Sequence, residues 1–230
     1  MPRYSTILFD ADNTLLDFDR SEHEGILDAI RAMGITPTED MVGVYSAIND
    51  AMWKKLERGE ISKGELRTAR FVEFCAHYGI EADPEKFADT YLHFLAQKSY
   101  LIEGALEVCQ ALAPACRLYI ITNGIAYVQE KRFDPSPLRP LFSDVFISEE
   151  IGAEKPSAQF FDTVAARIPN FSPADTLVIG DSLTSDIQGG INAGIDTCWF
   201  NRKGATAPAD MPITYSVSTL RDILPVVLGE

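Results

Sequence analysis

Two carboxylates stand at the end of the first apolar run of the chain, where their mutual repulsion has to be balanced. The run YSTILF at 4–9 ends at Asp10, and Asp12 follows two residues later. Side chains at i and i+2 of an extended chain point to the same side. No basic residue lies between them. A shared divalent cation is one arrangement that would remove this repulsion.

Polar residues follow four predicted strands at the points where the strands end. In an open α/β sheet, ligands bind outside the carboxyl ends of the strands, so these residues are expected to meet at one edge. The predicted strands are 5–9, 118–121, 144–147 and 176–179, with a fifth at 197–200. The segments that follow the first four are, in order, Asp10 to Thr14, Thr122-Asn123-Gly124, Glu154-Lys155-Pro156 after a loop, and Gly180-Asp181-Ser182 with Asp186 shortly beyond.

These residue types predict a site for a metal ion and a phosphoryl group. Asp10, Asp12 and Asp181 supply the oxygen ligands that Mg²⁺ prefers. Thr122 and Lys155 would face a bound anion. Each segment alone also fits an ordinary turn, a helix cap or a solvated surface lysine. Their order, with each segment after its own strand, favours a functional site.

The alternation of elements predicts an α/β fold with a doubly wound, Rossmann-like parallel sheet as its core. Short, continuous apolar runs are typical of strands that are buried on both faces. Helical stretches at 105–112, 158–168 and 185–193 lie between the later strands, as such a fold requires.

The interval 17–97 contains no convincing strand and predicts an inserted, all-helical cap domain. We assign residues 1–16 and 98–230 to the core domain and residues 17–97 to the cap domain. Breaks rich in Gly and Pro separate the predicted helices of the cap, which are 22–33, 40–56, 63–78 and 84–95.

Charge and composition exclude several classes of function. The chain of 230 residues has a formal net charge of −14, which argues against a basic surface for nucleic-acid polymers. No segment reaches the roughly 18 apolar residues of a membrane span. The N-terminal residues show no secretory pattern, so a cytoplasmic protein without a membrane partner is expected. The four cysteines form no C-x-x-C pair and predict buried, reduced thiols.

The motifs D-x-D-N-T (10–14), T-N-G (122–124), K-P (155–156) and G-D-x-x-x-x-D (180–186) occur in this order along the chain. This pattern closely resembles the haloacid dehalogenase-like hydrolases with a type 1 helical cap. Within that superfamily, ISEEIGAEKP at 147–156 and GDSLTSDIQGGINAGIDTCWFN at 180–201 resemble the nucleoside 5′-monophosphatases of the YjjG/YfnB type. The resemblance covers the whole chain and implies a Mg²⁺-dependent phosphatase.

The resemblance also implies a role for each motif residue. Asn13 stands where many relatives have glycine, and Asn enters the left-handed backbone region readily, so this departure is tolerable. The resemblance implies that Asp10 is the nucleophile and Asp12 the general acid/base. It implies that the phosphate-binding residues are Thr122, Asn123 and Lys155. The implied Mg²⁺ ligands are Asp10, the backbone carbonyl of Asp12, and Asp181, with Asp186 as a supporting acid that acts through water or orients Lys155.

Asp12 separates the candidate reactions. Attack by Asp10 on phosphorus would form an aspartyl-phosphate, while Asp12 protonates the leaving alkoxide and later activates water. Asp12 must therefore carry a proton when the first step begins. A halide leaves without a proton, so a dehalogenase has no need of this second carboxylate. We favour phosphomonoester hydrolysis over dehalogenation, and a non-catalytic phosphoryl-binding module is the third alternative.

The expected substrate is a small phosphorylated metabolite, bound by a monomer or homodimer. The subgroup resemblance favours a nucleoside 5′-monophosphate, and phosphoglycolate or a sugar phosphate is the alternative. The helical block would select the leaving group by closing over the cleft and excluding water. Phe18 and Trp53 are candidates for stacking on a base, although core packing explains both equally well.

Overall fold

A six-stranded parallel sheet is the main feature of the computed structural model, which describes residues 2–229. The strands are β1 (Thr6–Phe9), β2 (Arg117–Thr122), β3 (Asp144–Ile147), β4 (Thr176–Gly180), β5 (Asp196–Phe200) and β6 (Tyr215–Val217). Their order in the sheet is β3-β2-β1-β4-β5-β6. Phe9 of β1 is paired with Ile120 of β2 on one side and with Ile179 of β4 on the other. The carboxyl ends of these three strands are therefore neighbours.

Helices accompany the sheet and also form a separate block between β1 and β2. Among the described residues, no helix is both long and apolar enough to cross a bilayer. The α-helices are α1 (Phe18–Ala32), α2 (Met41–Glu57), α3 (Lys63–Tyr78), α4 (Pro84–Leu95), α5 (Ala105–Leu112), α6 (Ala126–Phe133), α7 (Ser148–Ile151), α8 (Ala158–Arg167), α9 (Gln188–Asn192) and α10 (Ile223–Leu228).

Both faces of the sheet are buried, because alternate residues of each strand enter different apolar clusters. Ile7 and Phe9 pack in the cluster that contains residues of α5 and α10. Leu8, between them, packs on the opposite face with Phe160 and Val164 of α8. This two-sided burial explains why the strands appear in the sequence as continuous apolar runs.

Residues 18–100 form a compact unit of their own, distinct from the unit of the sheet, which ends at Asp17 and resumes at Leu101. This helical unit consists of α1 to α4. Ser62 and Glu65 form a reciprocal capping box at the start of α3, and Gly79 ends that helix with a left-handed φ of 63°. Asp83 caps α4, whose first residue is Pro84.

The interior of the helical unit is built from closely packed aromatic rings. Phe71 and Phe87 are stacked with their ring centroids 4.8 Å apart, and Tyr45 and Tyr91 pack against Phe71. All four side chains are completely buried. Aromatic burial of this extent stabilises the packing of α2, α3 and α4 against one another.

The predicted α/β fold with a doubly wound parallel sheet is confirmed, and the four cysteines are free and buried as predicted. β6 was not predicted, because it has only three residues and follows a long irregular segment. The helix predicted at 185–193 is instead a π-helical turn, Leu183–Ile187, that leads into α9. The assignment of 17–97 as a functional cap domain stays a prediction.

Gly180, the last residue of β4, allows a buried carboxylate to approach the backbone. A Cβ atom on this residue would lie 2.2 Å from Oδ2 of Asp186, far inside van der Waals contact. Asp186 is 1% exposed, and its Oδ2 accepts a hydrogen bond from the backbone N–H of Ser182 at 3.1 Å. The π-helical turn thus brings Asp186 back under the end of β4.

We expect Gly180→Ala to lower the free energy of unfolding by about 1–3 kcal/mol, because the added methyl group overfills the site and displaces Asp186. Urea denaturation followed by circular dichroism measures this loss. Gly43→Ala is the matched control, since Gly43 lies within α2 with no atom within 4 Å of the added Cβ. The control should keep or raise stability, by up to about 1 kcal/mol. Equal stability of Gly180→Ala and wild type would contradict the prediction.

Candidate active site

Lys155 is a buried cation held by three acceptors at the carboxyl edge of the sheet. Its side chain is 1% exposed. The ammonium group donates to Oδ1 of Asp10 at 2.7 Å, to Oδ1 of Asp186 at 2.6 Å and to the backbone carbonyl of Ile121 at 2.8 Å. An ammonium has three N–H donors, and all three are used here. A direct hydrogen bond to a substrate would therefore require Lys155 to exchange one of these partners.

Asn123 fixes the backbone of Lys155. The side-chain amide of Asn123 donates to the carbonyl of Lys155 at 2.9 Å and accepts from its backbone N–H at 2.9 Å. This pair of hydrogen bonds joins the end of β2 to the loop after α7. The side chain of Asn123 thus positions Lys155, and the assignment of Asn123 to substrate binding stays a prediction.

Three carboxylates surround the single ammonium group of Lys155. One oxygen from each of Asp10, Asp181 and Asp186 lies within 4.8 Å of the other two. Burial, together with the charge of Asp186, raises the pKa of Asp10 well above its usual value, and Lys155 only partly offsets this. Burial and the charge of Asp186 also raise the pKa of Asp181 to about 7. The three carboxylates therefore share one lysine, and without a further cation their repulsion and burial favour the uptake of protons.

Lys155 stays protonated within this cluster. Burial by itself would lower the pKa of Lys155. The charges of Asp10 and Asp186, and the hydrogen bonds to them, outweigh burial and raise the pKa above its ordinary value. The cation is therefore a permanent part of the site.

The carboxylate cluster fits a divalent cation such as Mg²⁺. Its donors are oxygen atoms, which hard cations prefer, and a second positive charge would offset the repulsion that raises the pKa values of Asp10 and Asp181. Of the three carboxylates, Asp181 lines a cleft, together with Asn13, Trp199 and Lys203 among others. Mg²⁺ usually keeps several water ligands.

The backbone of the first motif turns sharply after Asp12. Asn13 has a left-handed φ of 61°, as its position in place of a glycine predicts. Its N–H donates to the carbonyl of Leu16 at 2.7 Å, which closes the loop between β1 and the helical unit. The side chain of Asp12 is not part of the carboxylate cluster formed by Asp10, Asp181 and Asp186.

Thr122, the last residue of β2, is buried beside this site. Its Oγ1 accepts hydrogen bonds from the backbone N–H of Gly124 at 3.0 Å and from Nε2 of Gln129 at 3.1 Å. A hydroxyl that accepts two hydrogen bonds still has its own proton to donate. Thr122 can therefore act as a donor to a phosphoryl oxygen.

Two residues of α6 that the sequence analysis did not identify contact Asp12. Nη1 of Arg132 donates to Oδ1 of Asp12 at 2.5 Å, and Nε2 of Gln129 donates to Oδ2 at 2.5 Å. Each oxygen of the Asp12 carboxylate therefore accepts a hydrogen bond from α6. The available sequence signal was weak: Gln129 and Arg132 are polar residues spaced i, i+3 on the helix that follows the T-N-G motif.

Phe18 and Trp53 both lie in the helical unit. Phe18 is the first residue of α1, Trp53 lies in α2, and both side chains are half-buried. Half-burial is compatible with core packing and with a partly open binding surface. Their assignment to substrate binding stays a prediction.

The chain is similar in sequence to a known protein family and to three bacterial proteins over most of its length. The family model for haloacid dehalogenase-like hydrolases matches residues 4–194. The putative HAD-hydrolase YfnB of Bacillus subtilis is 40% identical, over 97% of this chain and 95% of its own. The pyrimidine 5′-nucleotidase PynA of Streptococcus pneumoniae is also 40% identical, over 96% and 94% of the two chains. The pyrimidine 5′-nucleotidase YjjG of Escherichia coli is 31% identical, over 96% of each chain.

Structural similarity agrees with the sequence. A crystal structure of Bacillus subtilis YfnB bound to magnesium matches with a TM-score of 0.93 and 39% identity, and the match covers 97% of this chain and 98% of that one. The resemblance inferred from the order of the motifs is confirmed. The chain belongs to the haloacid dehalogenase-like hydrolases.

Proposed function

We propose that the protein is a Mg²⁺-dependent phosphatase that hydrolyses nucleoside 5′-monophosphates through an aspartyl-phosphate on Asp10. One observation carries this proposal: Asp10, Thr122, Lys155 and Asp181 converge at the carboxyl ends of three adjacent strands. Nucleophile, anion-binding groups and metal-binding carboxylates are thereby within reach of one phosphoryl group.

Asp10 is the proposed nucleophile. In the first step a bond forms between its carboxylate oxygen and phosphorus, as the bond from phosphorus to the leaving oxygen breaks. Asp10, the backbone carbonyl of Asp12, and Asp181 would hold Mg²⁺, with Asp186 in support. When bound, Mg²⁺ would supply the positive charge that lets the two anions approach each other.

Lys155 and Thr122 are the proposed phosphoryl-binding residues. Lys155 aligns Asp10 through its 2.7 Å hydrogen bond and offsets negative charge on the phosphoryl oxygens. The hydroxyl of Thr122 would donate to the same oxygens, and Asn123 stays a predicted contact of the substrate. These donors are fixed in place before the substrate arrives, which is how preorganised sites stabilise a transition state.

Asp12 is the proposed general acid and base. In the first step its proton passes to the leaving alkoxide. In the second step a water oxygen attacks phosphorus, a water proton passes to Asp12, and the bond to Asp10 breaks so that its carboxylate is restored. Halide release needs no such proton, so the presence of Asp12 continues to favour phosphatase over dehalogenase chemistry.

The nucleotide assignment is supported by the relatives PynA and YjjG, which are both named pyrimidine 5′-nucleotidases and match nearly the whole chain. We therefore propose pyrimidine nucleoside 5′-monophosphates as the preferred substrates. The YfnB structure with magnesium supports the choice of metal. A cytoplasmic location and a monomeric or homodimeric state stay predictions from the sequence.

We expect Asp10→Asn to reduce turnover of p-nitrophenyl phosphate by about three orders of magnitude or more, because a catalytic unit fails when its attacking group is lost. The fold should persist, since the amide oxygen can still accept from Lys155. Steady-state kinetics with circular dichroism checks both points. Asp162→Asn, at an exposed position of α8, is the matched control and should keep full activity. Near-normal turnover of folded Asp10→Asn would rule out the covalent mechanism.

Chelation by EDTA should abolish hydrolysis, and added Mg²⁺ should restore it. Asp181→Ala should raise the Mg²⁺ concentration for half-maximal activity by at least about tenfold, because even loss of an outer-shell partner weakens metal binding by that factor. Titration of activity with Mg²⁺, beside calorimetric titration of the metal alone, measures the shift. Full activity in excess chelator would contradict the metal site.

A panel of phosphate esters tests the substrate assignment. We expect kcat/KM for uridine and cytidine 5′-monophosphate to exceed that for phosphoglycolate and sugar phosphates. If Trp53 or Phe18 stacks on the base, its replacement by Ala should reduce that preference by roughly 5- to 150-fold and leave p-nitrophenyl phosphate hydrolysis unchanged. Phe94→Ala, at another half-buried aromatic residue of the helical unit, is the control. A tenfold preference for a non-nucleotide ester would overturn the nucleotidase assignment.

A further inference from the structure

Two donors from α6 fix the orientation of the Asp12 carboxylate. Arg132 and Gln129 each donate to a different oxygen of Asp12, both at 2.5 Å. The side chain of Arg132 is fully buried, while a quarter of the Asp12 side chain is exposed. One face of Asp12 is thus held by the protein while the carboxylate still reaches solvent. Each carboxylate oxygen has a second lone pair, so the two hydrogen bonds from α6 leave acceptor capacity on both oxygens.

Gln129 also joins Asp12 to Thr122. The same Nε2 that donates to Asp12 donates to Oγ1 of Thr122 at 3.1 Å. Its Oε1 is buried and, among the described residues, accepts no hydrogen bond. A side chain that served packing alone would not need a buried, unpaired carbonyl oxygen. The orientation of the Gln129 amide therefore satisfies Asp12 and Thr122 through Nε2 and leaves its own Oε1 without a hydrogen bond among the described residues.

Gly124 makes room for this bridge. A Cβ atom on Gly124 would lie 2.1 Å from Nε2 of Gln129 and 2.7 Å from its Cδ. No side chain larger than hydrogen is compatible with the observed path of Gln129. The third residue of the T-N-G motif is thus explained by a contact with α6.

We propose that Gln129 and Arg132 are positioning residues for proton transfer by Asp12. They fix the position of the Asp12 carboxylate relative to a substrate phosphoryl group that is hydrogen-bonded to Thr122. The leaving oxygen and, later, the attacking water then meet Asp12 at a fixed orientation. This inference rests on the proposed phosphatase function. It predicts that loss of either residue harms the steps that need a proton more than the step that needs none.

Single-turnover experiments with two esters test the proposal. Release of uridine from uridine 5′-monophosphate needs a proton from Asp12, whereas p-nitrophenolate leaves without one. Because general acid–base catalysis contributes about 10²–10⁴-fold, we expect Arg132→Met and Gln129→Leu to slow uridine release by roughly 10- to 100-fold. Release of p-nitrophenolate should slow less than about fivefold on the same scale. Arg132→Lys, which keeps the charge, should recover part of the loss.

Two controls separate positioning from a general structural effect. Arg139→Met removes a partly exposed arginine whose ion pair with Asp134 is long, at 3.9 Å, and should change neither rate. In an Asp12→Asn background, Gln129→Leu and Arg132→Met should add little further loss, because residues that act as a unit are not additive. If Arg132→Met does not fold, Gln129→Leu and Arg132→Lys are compared with wild type by the ratio of the rate of uridine release to the rate of p-nitrophenolate release.

The possible outcomes are distinct. Equal loss for the two esters, no loss for either, or full additivity with Asp12→Asn would overturn the positioning role. A wild type that hydrolyses neither ester would instead overturn the proposed phosphatase function. If phosphatase activity is lost in Asp12→Asn but unchanged in the Gln129 and Arg132 variants, the proposed phosphatase function is retained and only the positioning role is overturned.

Discussion

The buried ammonium of Lys155, between Asp10 and Asp186, is the interaction on which the site depends. Removing one partner of a buried ion pair costs about 3–5 kcal/mol, because the remaining charge is left without compensation. Here a single lysine faces three carboxylates, so the cluster is only partly neutralised even when it is intact. A divalent cation would relieve the repulsion among these carboxylates, and it would in turn let an anionic ester approach the carboxylate of Asp10.

Much of the local backbone serves to build this charge cluster. Gly180 lacks a Cβ and so leaves room for Asp186 under the end of β4. Two hydrogen bonds between the side-chain amide of Asn123 and the backbone of Lys155 hold that segment against β2. A second, separate network on α6 holds Asp12 through Arg132 and Gln129. Asp10 and Asp12, the proposed nucleophile and the proposed acid/base, are two residues apart in sequence but have different sets of partners. That separation suits the proposed roles, in which Asp10 attacks phosphorus beside a metal ion and Asp12 gives and takes a proton.

The sequence was sufficient for the sheet and for the residues at its edge, because strands buried on both faces leave continuous apolar runs and each run is followed by a polar motif. It was insufficient for β6, which has only three residues, and for the π-helical turn that carries Asp186. Gln129 and Arg132 were missed because buried polar residues on a short helix look like ordinary surface residues. The close packing of Gln129 against Gly124 and of Asp186 against Gly180 was not predicted, because only coordinates reveal such contacts.

Detection of the covalent intermediate tests the central claim most directly. Acid quenching of the enzyme during turnover of p-nitrophenyl phosphate, followed by trypsin digestion and mass spectrometry, would locate any phosphorylated residue. The tryptic peptide that spans residues 4–20 contains Asp10 and ends at Arg20. We predict that phosphate is found in this peptide on Asp10, and that Asp12→Asn increases its amount because hydrolysis of the intermediate is slowed. A burst of p-nitrophenolate without phosphate on Asp10, or with phosphate on another residue, would contradict the account.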